Sequence, residues 1–154
     1  MKIENVLIPT AVATPDMLIR DVFSECVRAQ VPAIPYRDEN GELVGRVSLM
    51  DTLRKSCIPE FMVEMADVLG DQMSCVEDAE KKAREVLCHK AEEIILPDFH
   101  SLPGVTSMIK TLAVMEKHNT NYVFIIDDGV YKGVVTILTI ARRMVELDKS
   151  CGVP

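Results

Sequence analysis

Apolar positions recur along this chain in two grammars, and the two are laid down in the same order twice. From Asp16 to Ala29, Ile19, Val22, Phe23, Cys26 and Val27 fall at helical spacing, which predicts an amphipathic helix started near Thr14-Pro15-Asp16. After a break at Val31-Pro32, the runs Ala33 to Arg37 and Leu43 to Val47 flank Asp38-Glu39-Asn40-Gly41, whose Asn and Gly tolerate positive φ, so a β-hairpin is predicted. Ser48 then opens a helix through Lys55, with Ser48-x-x-Asp51 offering a capping box, and this first unit ends near Cys57.

The C-terminal third repeats the order. It predicts a helix from Ser107 to Lys117, a strand at Tyr122 to Ile126, a turn at Asp127-Asp128-Gly129 and a strand at Tyr131 to Thr136. A last helix follows, with Ile140, Met144, Val145 and Leu147 expected inward. Aligning Gly45 with Gly133 pairs Val47 with Val135, Ser48 with Thr136 and Asp51 with Thr139, and before the shorter second turn Ile34 pairs with Val123, Phe23 with Leu112 and Cys26 with Met115. Neither half has strands enough to bury a sheet face alone, which is the physical reason to expect them as a pair.

A stretch that does not repeat separates the copies. Phe61, Met62, Met65, Val68 and Leu69 form a helical stripe with Gly70 as its C′ residue, and Ser74-Cys75-Val76-Glu77 reads as another capping box. Glu77–Lys81, Asp78–Lys82 and Glu80–Arg84 are acid-to-base pairs one turn apart. A helical hairpin is expected, whose second stripe is Val76, Ala79, Ala83, Val86 and Leu87, covering either the repeats or a partner subunit. The boundaries are thus 1–57 for the first repeat, 58–93 for the insert and 94–154 for the second repeat with its tail, in one compact module.

Composition narrows the function. The 154 residues are 48% hydrophobic and 27% charged, enough for a packed core. Seventeen basic against twenty-four acidic residues give a net charge of -7, which argues against nucleic acid and anionic membrane surfaces as partners, while Arg46, Arg142 and Arg143 could still line a local pocket for a phosphate-bearing ligand. Five cysteines without CxxC spacing suggest reduced thiols, and the three histidines show no ligand spacing, so no metal is expected. Met1 to Asn5 lacks signal-peptide architecture and no run approaches bilayer-spanning length, which places the chain in the cytoplasm. There is no nucleophile elbow, Walker loop or glycine-rich dinucleotide fingerprint, so no enzyme activity and no cofactor are expected.

Gly45-Arg46-Val47-Ser48-Leu49-Met50-Asp51 and Gly133-Val134-Val135-Thr136-Ile137-Leu138-Thr139, each closing a strand, turn, strand, helix unit, resemble the CBS domain, named after cystathionine β-synthase. The second copy lacks the final acid. The resemblance covers about residues 8 to 56 and 94 to 147. It implies an α+β fold of two β-α-β-β-α repeats packed through their sheets with pseudo-two-fold symmetry, plus the helical insert. It further implies a non-catalytic sensor that binds AMP, ADP, ATP or S-adenosylmethionine in clefts between the repeats, acts as a homodimer and signals to a downstream protein target not evident from the sequence.

Carried over by position, one cleft would draw Arg46, Ser48, Met50 and Asp51 together with Thr120, Asn121 and Tyr122. The other would use Val134, Thr136, Leu138 and Thr139 with Val31, Pro32 and Ala33. The chemistry fits: a carboxylate can accept both ribose hydroxyls, and a hydroxyl beside exposed amides at a helix start suits a phosphate oxygen. Thr139 offers a weaker bond than Asp51, so the Asp51 cleft is expected to be preferred. The alternatives are that Ser48 and Asp51 only cap their helix, that Arg46 only reaches solvent, and that the chain is an interaction and oligomerisation module with vestigial clefts, docking through the insert.

Overall fold

In the computed structural model, residues 1–58, 60–68, 70 and 79–150 are described. They fall into two compact units, one of Val12–Pro97 and one of Met1–Ala11 with Asp98–Pro154. The helical insert therefore belongs with the first repeat, and the N-terminal segment with the second. Both units are α+β with a small sheet.

In the first-repeat unit, α1 (Ile19–Ala29) leads to an antiparallel hairpin of β1 (Ala33–Arg37) and β2 (Leu43–Ser48), then to α2 (Leu49–Cys57), α3 (Glu60–Glu64) and α4 (Ala79–Leu87). The hairpin turn forms because Asp38 Oδ1 accepts the amides of Asn40 and Glu42, both at 2.9 Å, while Gly41 takes φ 80°. The helix α1 begins three residues later than Asp16, since Thr14 to Met17 make a turn instead. Ile19, Val22, Cys26 and Ala29 are its buried stripe; Val27, expected inward, is 72% exposed because it lies off the line that these four define.

Of the insert, α4 packs on α1 and α2 and buries Val86. The first apolar stripe is a correction: α3 is a five-residue helix ending at Glu64, before Gly70 is reached, and Phe61, Met65 and Val68 are exposed. Leu69, the Ser74 capping box, Val76 and the pairs led by Glu77 and Asp78 lie outside the described residues.

The second-repeat unit holds β3 (Ser101–Leu102), α5 (Met108–Lys117), β4 (Tyr122–Asp127), β5 (Val130–Thr136) and α6 (Ile137–Ser150). Its sheet runs β3-β4-β5, with β3 parallel and β5 antiparallel to β4. Ser107 caps α5 through the Lys110 amide, and Asp128 and Gly129 turn the hairpin at φ 51° and 75°. Ile3, Val6, Leu102, Met115, Val123, Ile125, Val135 and Ile140 form its core. On α6 only the start is inward: Ile140 is 2% exposed, whereas Met144, Val145 and Leu147, expected inward, are 53%, 58% and 42% exposed. Their helical spacing sets a phase but cannot supply a surface for the second half of the helix to pack on.

Candidate functional site

Four backbone devices recur in the two units. A left-handed residue ends the first helix of each repeat, Gln30 at φ 55° and Asn119 at φ 48°, and the next amide closes onto the helix, Val31 N on Cys26 O and Thr120 N on Met115 O, both at 3.0 Å. The hairpin then pairs Ala33 with Ser48 and Tyr122 with Thr136. The helix start is tied back to the residues before the first strand, Leu49 N on Pro32 O and Ile137 N on Asn121 O, both at 2.9 Å.

The fourth device was missed in the sequence. Lys2-Ile3-Glu4-Asn5-Val6-Leu7-Ile8-Pro9 and Lys90-Ala91-Glu92-Glu93-Ile94-Ile95-Leu96-Pro97 match at the spacing that separates Gly45 from Gly133. Each makes a short 3-10 turn, Ile3–Val6 and Ala91–Glu93, and then lies antiparallel along the glycine strand. Ile8 and Val134 exchange two amide bonds of 2.8 Å; Leu96 and Arg46 exchange two of 2.9 Å. The glycines are what permits this approach: a Cβ at Gly45 would stand 2.2 Å from Leu96 O, and one at Gly133 would stand 2.3 Å from Ile8 O.

The expected site residues are therefore gathered by unit. In the first-repeat unit Val31, Pro32 and Ala33 lie beside Ser48, with Arg46, Met50 and Asp51 around the start of α2. In the second, Thr120, Asn121 and Tyr122 lie beside Thr136, with Val134, Leu138 and Thr139 around the start of α6. Met50 and Leu138, at matching positions, are 68% and 54% exposed and leave apolar surface beside each polar group.

The polar groups themselves differ. Ser48 Oγ accepts the Asp51 amide at 3.0 Å and donates to Asp51 Oδ2 at 2.5 Å. Asp51 thus faces charge: Arg54 bonds its other oxygen and Arg46 Nη2 stands 3.6 Å from Oδ2, with Arg46 and Asp51 side chains each only 18% exposed. Arg46 is engaged and does not simply reach solvent. In the other unit Thr136 Oγ1 accepts the Thr139 amide and Thr139 Oγ1 accepts the Thr136 amide, both at 3.1 Å, and Thr139 Oγ1 donates to Thr136 O at 2.9 Å. The reciprocal cap is formed by the pair without the acid.

A cleft of about 170 Å³ opens beside Thr139, lined also by Asn5, Leu7, Ile8, Arg142 and Arg143. Of these, Asn5, Leu7 and Ile8 come from the missed segment. A second cleft, of about 280 Å³ and without Asp51 in its lining, lies in the first-repeat unit among Lys55, Lys82, His89 and Glu93. There His89 bonds Glu93 at 2.6 Å and thereby holds its carboxyl below the ordinary carboxylate range. Among the described residues no three His, Cys, Asp or Glu side chains are placed to share a metal ion, and no helix is long and apolar enough to cross a membrane.

The CBS domain family model matches residues 91–146, from the second of the paired segments through most of α6. The chain carries a CBS domain. The first repeat extends the likeness at the level of the fold: the CBS domain of a CBS domain-containing membrane protein from Sphaerobacter thermophilus superposes with a TM-score of 0.64 at 22% identity, over 92% of this chain and 86% of that one. An acetoin utilization protein (AcuB) homologue from Vibrio cholerae gives 0.63 at 17% identity, over 100% and 98%. A protein of Methanocaldococcus jannaschii proposed as an archaeal homologue of γ-AMPK gives 0.64 at 20%, over 93% of this chain but 47% of its own length. No curated protein matches significantly. CBS domains commonly serve as regulatory ligand-binding modules.

Proposed function

We propose that this protein is a non-catalytic regulatory module that binds an adenosyl ligand, AMP, ADP, ATP or S-adenosylmethionine, through its CBS repeats. The observation that carries this reading is Asp51: a mostly buried carboxylate at the start of α2, oriented by Ser48 and flanked by Arg46 and Arg54. A carboxylate so placed can exchange its intramolecular partners for two ribose hydroxyls, and the freed guanidinium groups and helix-start amides can turn to phosphate. Exposed Met50 supplies an apolar face for a purine. The likeness in fold to an archaeal protein proposed as a γ-AMPK homologue supports the same ligand class.

Isothermal titration with the four ligands tests this directly. At least one is expected to bind, and Asp51→Ala is expected to weaken it at least about tenfold, equivalent to about 1.4 kcal/mol. Absence of binding by all four at millimolar concentration defeats the proposal, and unchanged affinity in Asp51→Ala defeats the role given to Asp51.

A further inference from the structure

The cleft beside Thr139 differs from the surroundings of Asp51 in what it can recognise, and the difference bears on ligand class. Arg142 and Arg143 line it from one face of α6, with Glu146 as the single acid, bonded to Arg143 Nη1 at 3.2 Å, so the lining carries a net positive charge. Arg143 Nε is a buried donor with no hydrogen-bond partner among the described residues. Buried donors are ordinarily satisfied, and an anionic oxygen in the cleft is an acceptor of the right kind.

For the sugar the cleft offers little. The Thr139 hydroxyl has committed its proton to Thr136 O and one lone pair to the Thr136 amide, which leaves a single lone pair where a ribose diol needs two acceptors. The volume of about 170 Å³ also falls below the roughly 300 Å³ at which pockets begin to enclose a whole drug-sized molecule. From this we infer that the Thr139 cleft recognises a phosphate group and ignores the sugar: it admits phosphate monoesters and diphosphates, free or on a nucleotide, and rejects adenosine and the cationic S-adenosylmethionine. The inference rests on the reading above only for the adenosine part of the ligand.

A protein carrying Asp51→Ala, Arg46→Gln and Arg54→Gln lacks both the carboxylate and the guanidinium groups of the other site and so isolates this cleft. Titrated by calorimetry, it is expected to bind pyrophosphate and AMP, to hold 2′-deoxy-AMP within about threefold of AMP, and to bind adenosine and S-adenosylmethionine at least about tenfold more weakly. Adding Arg142→Gln, a change at an exposed side chain, with the fold checked by thermal unfolding, is expected to weaken pyrophosphate about tenfold or more, and amide shifts on titration are expected at Thr136 and Thr139. Adenosine or S-adenosylmethionine binding as tightly as AMP, a tenfold penalty for the missing 2′-hydroxyl, or an affinity for pyrophosphate indifferent to Arg142→Gln overturns the inference. Should AMP bind the wild-type protein and the triple variant with one affinity, be displaced by pyrophosphate in an Arg142-dependent way, and adenosine bind neither, the adenosyl reading fails and the phosphate cleft stands.

Discussion

The first-repeat and second-repeat units share their backbone scaffold nearly bond for bond and diverge in what they do with one residue. Helix closure at Val31 and Thr120, tie-back at Leu49 and Ile137, and the segments laid along Gly45 and Gly133 agree in partner and in distance. At the next level the two separate: Asp51 is turned toward Arg46, Arg54 and Ser48, whereas Thr139 is turned into the helix cap. The lesson is that the scaffold builds two equivalent helix starts while a single substitution decides whether the position holds a carboxylate drawn to neighbouring cations or a hydroxyl spent on the helix cap.

The largest effect is expected where the scaffold is tightest. Gly45→Ala and Gly133→Ala each drive a Cβ against a backbone carbonyl that no side-chain rotation can clear. Each is expected to cost about 3 kcal/mol in urea unfolding, the upper range for overpacking. Gly133, at φ 154°, sits in the conformation that L side chains rarely adopt, so its substitution should cost about 1 kcal/mol more than that of Gly45. Losses under about 1 kcal/mol at both sites would show that the paired segments yield easily and are not the shared scaffold.

A smaller effect separates the two caps. Thr139→Ala removes two buried bonds of the reciprocal cap and should cost about 1–2 kcal/mol. Asp51→Ala leaves the Ser48 cap with its backbone amide and removes ion pairs to Arg54, which is 59% exposed, and to the more buried Arg46 at 3.6 Å, so about 0.5–1 kcal/mol is expected. Thermal unfolding of both variants checks the order. The reverse order would mean that Asp51 is a stability residue, and the contrast between the units would collapse.

Local chemistry made much of this legible in the sequence. The hairpin ends are encoded by Asp38, Gly41, Asp128 and Gly129, and the helix starts by Ser48, Ser107 and Thr136, because turns and caps depend on residues within a few positions. The segments Lys2–Pro9 and Lys90–Pro97 were overlooked because a short 3-10 turn followed by one bridge follows neither the helical nor the strand period; only their recurrence at the spacing of the two glycines marks them. The misplaced inward residues, Val27, Phe61, Met144 and Leu147, share one cause: periodicity shows which residues lie together on a helix but not whether another element covers them. Which way Asp51 turns was illegible for a related reason, since Arg54 and Arg46 reach it from a helix turn later and from the preceding strand.

The smallest effect concerns the cores, where the repeats also differ in what can titrate. Cys26 and its counterpart Met115 are both buried, at 1% and 3% exposure, but only the thiol ionises. Burial, with a lesser contribution from Glu25, pushes Cys26 from its ordinary value near 9 up to about 12. Below pH 9 the thiol is neutral in folded and unfolded chains and its burial costs nothing in charge. Between pH 9 and about 12 the unfolded chain loses the proton that the folded chain keeps, so stability falls as pH rises through this window. By pH 10 the loss due to this one group should reach about 1.4 kcal/mol. Cys26→Ala lowers stability at every pH by opening a cavity, so the test reads only the slope: between pH 8 and 10 the variant should lose about 1.4 kcal/mol less than the wild type. Parallel slopes would mean that the thiol is hydrated in the folded state, and the first repeat's core would then be no drier at this position than solvent. A difference of the expected size would extend the divergence of the repeats from the helix start to the core, with the same backbone around both.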